Sequence, residues 1–168
     1  VIIEKPVAHT SDMAEKVAET AKKYGVKLTV LHTQRFYPCI QQAKSIIESK
    51  ELGELRLCRS VGNYLERYYP SWVFERSYDS RGLLLELVSH HVYLNLFFLE
   101  NIHSVEAFFL DPQKKNYNMI LHGKDCNGII DIYRTRGPEG KIELYLDEYR
   151  IVAYPRINVL VVGRKTRL

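Results

Sequence analysis

The sequence predicts an α+β protein, and three observations carry that expectation. The first 33 residues read strand, helix, strand, the unit of a parallel sheet. Turn-punctuated strand runs fill the second half, too close together for crossover helices. Between them lies a helix that is apolar almost all round, which marks it as buried.

Val1-Ile2-Ile3 reads as a short buried strand, stopped by Glu4-Lys5-Pro6 because proline has no N–H to continue a ladder. Thr10-Ser11-Asp12 supplies helix N-cap chemistry, Met13, Val17 and Ala21 recur at helical spacing, and Gly25 suits the position just past the helix end. Residues 26–32 form a β-branched second strand. Arg35-Phe36-Tyr37-Pro38 is a loop, with Pro38 suited to the first turn of a helix whose apolar face is Ile40, Ala43, Ile46 and Ile47. A strand is expected over residues 55–64. An irregular aromatic loop follows over 66–81, and a long helix over about 83–99. Further strands are expected over 103–110, 117–122, 128–134, 141–146, 150–154 and 159–162, separated by Asp111-Pro112, Gly123-Lys124-Asp125 and Gly137-Pro138-Glu139-Gly140.

Composition narrows the function classes. The chain has 168 residues, 46% hydrophobic and 26% charged, which excludes a fully disordered chain. Lys and Arg number 24 against 20 Asp and Glu, a net charge of +4 spread along the chain. Arg164-Lys165-Thr166-Arg167 alone is too short to argue for nucleic acid. No apolar run is long enough to span a bilayer, and no signal peptide is visible. Cys39, Cys58 and Cys126 form no CxxC pair, so they read as reduced thiols of a cytoplasmic protein and suggest neither a disulfide framework nor a metal site. The chain begins without methionine and already inside a strand-like run, which is the expectation for a fragment.

Two segments carry chemistry. Glu4-Lys5-Pro6 ends a strand, and in open α/β sheets ligands bind at the strands' carboxyl edge. A lysine there meets cofactor or substrate, although the same triplet also fits an ordinary surface turn. Glu86 and His90 are four apart on the apolar helix and so share one face. A carboxylate there holds the imidazole's tautomer and raises its basicity, leaving the other nitrogen for a substrate hydroxyl. His91 points about 100° away and reads as a packing or capping histidine. A metal site on Glu86, His90 and His91 or His122 lacks a spaced ligand set.

Taken in order, these segments resemble the glucose–fructose oxidoreductase/inositol dehydrogenase (Gfo/Idh/MocA) family of NAD(P)-dependent sugar and polyol dehydrogenases. Glu4-Lys5-Pro6 is similar to its Glu-Lys-Pro. Gln34-Arg35-Phe36-Tyr37-Pro38 resembles its Arg-Phe-x-Pro segment, and the stretch from Ile46 to Glu54 its second helix end. Ser80-Arg81-Gly82-Leu83-Leu84-Leu85-Glu86-Leu87-Val88-Ser89-His90 resembles its glycine-rich, histidine-ended signature. The resemblance implies that residues 1–34 end a Rossmann-type dinucleotide-binding domain. Residues 35–168 would be a substrate-binding and oligomerisation domain, an open, mostly antiparallel sheet with helices on one face. It implies Lys5, His90 and Glu86 as catalytic residues, and Glu4, Lys5 and Pro6 beside an NAD or NADP cofactor. Arg35, Tyr64, Trp72 and Arg81 become the substrate-binding candidates, for a small molecule bearing a secondary alcohol. The aromatic loop with Trp72 equally fits a core plug, and Arg81 a solvated arginine. Homo-oligomers through the open sheet face are implied as well.

The sequence departs from that family at Ser80 and Arg81, which replace glycines, at Val88, which replaces another, and at Glu86, which replaces aspartate. These changes leave a second expectation open, a catalytically degenerate member that binds a ligand or partner. No G-x-G-x-x-G occurs in the 168 residues, so this segment alone is expected to be inactive and to bind NAD(P) poorly.

Overall fold

The computed structural model describes residues 1–63, 87–110, 116–133 and 140–164. Of these, residues 1–33 and 87–90 belong to one unit. The remainder, from residue 34 to 63 and from 91 onward, belongs to a second. The expected aromatic loop, the helix start over 83–86, the turns at 111–112 and 137–139 and the basic end at 165–167 lie outside the described residues.

The first unit is a parallel strand–helix–strand. β1 (Ile2–Glu4) pairs with β2 (Thr29–Leu31), in the register Ile2 to Thr29 and Glu4 to Leu31. Between them runs α1 (Ser11–Lys23), opened by the Thr10 hydroxyl, which accepts the Met13 N–H at 3.3 Å. It closes through Gly25 at φ +64°, with Gly25 N donating to Lys22 O and Val26 N to Ala21 O. That closure explains why β2 starts three residues later than the β-branched run suggested: the Val26 N–H finishes the helix instead of entering a ladder. β1 forms, but it is not buried as expected. Val1 and Ile2 are 68% and 72% exposed, and among the described residues β2 is the strand that pairs with β1.

The second unit is a seven-stranded sheet in the order β4-β5-β6-β3-β7-β8-β9. Its strands are β3 (Leu55–Asn63), β4 (Ile102–Phe109), β5 (Tyr117–Gly123), β6 (Asn127–Tyr133), β7 (Lys141–Leu146), β8 (Tyr149–Tyr154) and β9 (Val159–Arg164). All pairings are antiparallel except β3 with β6. α2 (Pro38–Ser49), with Pro38 in its first turn as expected, packs on β8 and β9. Its N-terminus lacks a local side-chain cap, and Asn158 in the β8–β9 connection fills that role, its Oδ1 accepting the Cys39 N–H at 2.9 Å. At the other end Gly53 takes φ +92° against Asp147, whose carboxylate accepts Glu54 N at 3.0 Å and Arg56 Nε at 2.7 Å.

α3 (Ser89–Phe98) follows a π-helical turn at Leu87 and Val88. Together α2 and α3 cover one face of the sheet. Cys39, Ile40 and Ala43 from α2 and Leu94, Phe98 and Leu99 around α3 form one core with Cys58, Ile142, Leu144, Leu146, Ile151 and Ala153. Period-2 alternation puts every one of those strand residues on the same face. α3 reaches the sheet through two glycines: a Cβ on Gly62 would collide with His91 Nε2 and sit 2.7 Å from Ile132 Cδ1, and one on Gly128 would sit 2.7 Å from Asn95 Oδ1. Across that contact Asn95 Nδ2 donates to Ser60 Oγ at 2.8 Å and to the His91 carbonyl at 2.9 Å, all buried.

The opposite face carries a charge network at its centre. Asp131 and Glu143 are 2% and 1% exposed, which would be costly for unpaired carboxylates. Arg59 donates to Asp131 at 2.6 Å, joined there by Asn118. Lys141 bonds Glu143 at 2.9 Å, and Arg150 bonds it too while lying over the Tyr145 ring. Burial alone would raise the Glu143 pKa, but the bonds from Lys141 and Arg150 outweigh it and hold the carboxyl below its ordinary value. Exposed Phe108, Val159 and Val161 flank this network on the edge strands.

Gly62→Ala is expected to destabilise the chain by about 1–3 kcal/mol, since backbone and His91 must part to admit a methyl; urea unfolding with an unchanged midpoint would contradict the close approach. Because the folded Glu143 pKa is lowered, its contribution is complete above the unfolded value and is lost as pH falls through the folded one. Glu143→Gln should therefore flatten the acid limb of a stability-against-pH curve, which thermal melts between pH 3 and 7 would record.

Candidate functional site

The parallel pair sets the chemistry of the first unit. β1 ends at Glu4, which is exposed, and the chain turns through a cis Lys5–Pro6 bond in which both residues are half-buried. Lys5 thus stands just past the carboxyl end of a parallel strand, where ligands of such sheets are received. His90 lies in the first turn of α3, half-buried, with its Nδ1 shut off from solvent. Lys5 and His90 belong to the same unit. Buried Val88 sits two residues before His90, where the resemblance has glycine.

Arg35 belongs to the other unit, in a 3₁₀ turn over Thr33–Phe36. Its Nη1 donates to the Tyr93 hydroxyl at 2.8 Å, and its guanidinium lies 5.4 Å from the Phe36 ring centre, 5.9 Å from Tyr93 and 5.1 Å from Phe97. The planar cation is sandwiched among aromatic faces that attract it electrostatically. Glu86, Tyr64, Trp72 and Arg81 lie outside the described residues. Tyr93 and Asn95 escaped the sequence reading. Asn95 had a visible signal, a lone amide in the apolar run Leu94-Asn95-Leu96; Tyr93 had none, because its partner lies 58 residues upstream.

His91 packs over Gly62, as its position away from His90 suggested. Among the described residues, no group of three or more His, Cys, Asp or Glu is placed to hold a metal ion. The three thiols are free. Burial raises the pKa of Cys39 and Cys58 and lifts that of Cys126 to about 11, so none is an activated nucleophile at neutral pH. Among the described residues, no helix is long and apolar enough to cross a membrane.

Residues 40–144, which run from α2 through most of the seven-stranded sheet, match the family described as the GFO/IDH/MocA C-terminal domain. The chain belongs to that family. An uncharacterized protein, y4oX of Sinorhizobium fredii (strain NBRC 101917 / NGR234), is 27% identical to this GFO/IDH/MocA chain over 94 residues, 55% of this chain and 26% of that protein. The fold is that of an NAD binding oxidoreductase from Klebsiella pneumoniae (TM-score 0.84, 24% identity, 98% of this chain and 50% of that one). It is equally that of an inositol dehydrogenase homolog from Azotobacter vinelandii, solved with NADH and myo-inositol (TM-score 0.81, 18% identity, 100% of this chain and 48% of that one). The GFO/IDH/MocA chain described here therefore spans about half the length of these solved structures and about a quarter of the curated relative.

Proposed function

We propose that this chain is the C-terminal part of an NAD(P)-dependent oxidoreductase that oxidises a secondary alcohol of a sugar, polyol or related hydroxy compound. The observation that carries this reading is Lys5 at the carboxyl end of a parallel strand, in the same unit as His90. The family membership and the half-length coverage support it: residues 1–34 read as the end of a dinucleotide-binding domain and the rest as the substrate and oligomerisation domain. The residues present fit only the nicotinamide end of a cofactor. Glu4, Lys5 and Pro6 line a strand edge suited to it, whereas the pyrophosphate loop has no counterpart in this sequence.

In this reading the His90 imidazole takes the proton from the substrate hydroxyl, and Lys5 donates to the oxygen as its negative charge grows. Glu86, four residues earlier, holds the imidazole's tautomer. A bound nicotinamide would accept the hydride leaving the same carbon. Arg35, Tyr64, Trp72 and Arg81 remain the substrate-binding candidates; for Arg35, the bond to Tyr93 supports an additional part in anchoring α3. Buried Val88 in place of a signature glycine favours a second reading, a member that binds its ligand without turnover.

The open sheet face supports homo-oligomers built sheet to sheet. Three cations and two carboxylates at its centre, flanked by Phe108, Val159 and Val161, offer a second copy both charge and apolar complementarity.

In the longer protein, His90→Ala should lower NAD(P)H formation roughly 10²–10⁴-fold while leaving the melting temperature nearly unchanged; wild-type turnover would overturn the assignment. Ligand binding by saturation-transfer NMR without any turnover would favour the second reading. Light scattering at high micromolar concentration should give a dimer or larger symmetric assembly, and a monomer mass would remove the oligomer proposal.

A further inference from the structure

Arg35 differs from Arg56, Arg59, Arg150 and Arg164 of the same unit, each of which forms an ion pair with a carboxylate. Arg35 bonds the neutral Tyr93 hydroxyl through Nη1 and, among the described residues, meets no carboxylate. Its Nε is shut off from solvent and has no acceptor. A half-buried guanidinium with a charge lacking a counterion and a buried donor lacking an acceptor is costly as it stands, and both deficits are met by one anion. The residues around it, Phe36, Lys44, Tyr93 and Phe97, all belong to the second unit.

The edge left over decides the shape of that anion. Nη1 lies on the Cδ side of a guanidinium, so the bond to Tyr93 leaves the opposite edge, where Nε–H and an Nη2–H stand side by side. That pair matches the two oxygens of a carboxylate lying in the guanidinium plane. The Phe36 and Phe97 rings beside the cation attract it but supply no acceptor. They favour a flat group over a tetrahedral phosphate, whose oxygens leave the plane. Phe36 is 63% exposed, so its ring is free to turn aside for a ligand reaching the Nε–H. The Lys44 ammonium, 5.4 Å from the Phe97 ring centre and 3.6 Å from Glu48, adds a second cation on that side. We propose that Arg35 reads a carboxylate, and that the ligand of this chain is a hydroxy acid rather than a neutral sugar or polyol. That the ligand is also a substrate rests on the oxidoreductase reading above.

The test uses the longer protein and three probes: D-glucuronate, D-glucose, which has a hydroxymethyl in place of the carboxylate, and inorganic phosphate. The readout is the Nε–H resonance of Arg35 in the unmodified protein, so the answer does not depend on a variant that folds. Millimolar glucuronate is expected to shift that resonance, glucose to leave it in place, and phosphate to act at least about tenfold more weakly. Arg35→Lys, which keeps the charge and loses the planar edge, should weaken glucuronate binding by about tenfold or more. No shift with glucuronate, an equal shift with glucose, or phosphate binding as tightly as glucuronate would each overturn the proposal, as would unchanged affinity in a folded Arg35→Lys variant. Turnover is measured separately. Oxidation of glucose with no response at Arg35 would remove this inference and leave the oxidoreductase reading standing. A glucuronate shift with no NAD(P)H formed from any probe would keep the carboxylate site and count against that reading.

Discussion

The close approach of α3 to β3 and β6 is the constraint on which the second unit rests. It exists because Gly62 and Gly128 present bare backbone beneath the helix. His91 and Asn95 fill the space, and Asn95 ties the two layers by bonding Ser60 and the His91 carbonyl. A buried amide is costly unless bonded, so this link also discriminates among helix positions: a helix displaced along the sheet would strand Asn95 in an apolar layer. Leu94 and Phe98, on the same helix, then meet Ile142, Leu144 and Ile151 in the core.

The sheet's two faces solve different problems. The covered face is apolar and closes by packing with α2 and α3. The other keeps Asp131 and Glu143 almost wholly from solvent by stacking Arg59, Lys141 and Arg150 against them. Interlocking pairs of this kind add little net stability compared with an apolar replacement, but losing one partner leaves an uncompensated buried charge. Such a face resists change at single positions.

Much of the architecture was legible in the sequence, because local signals and tertiary demands coincide there. Thr10, Gly25 and Pro38 mark helix ends through their own backbone chemistry, and alternation in residues 129–133 and 142–146 marks strands facing a core. The strand order was not legible. Nothing local to β3 states that its neighbours are β6 and β7, one parallel and one antiparallel. Of the candidate site, the place of Lys5 just past a strand end and of His90 on a helix was legible from local sequence. The aromatic surroundings of Arg35 were not, since Tyr93 and Phe97 reach it from a helix distant in sequence.

The Asn158 amide caps α2 across 119 residues of chain. A helix whose first turn is completed by the β8–β9 hairpin is not complete until that hairpin is in place. As the chain emerges from its N-terminus, α2 can wind from its interior, but the Cys39 N–H must stay bonded to water until β8 and β9 have paired. The β8–β9 hairpin therefore acts as a clasp on α2, and two segments 119 residues apart become ordered together.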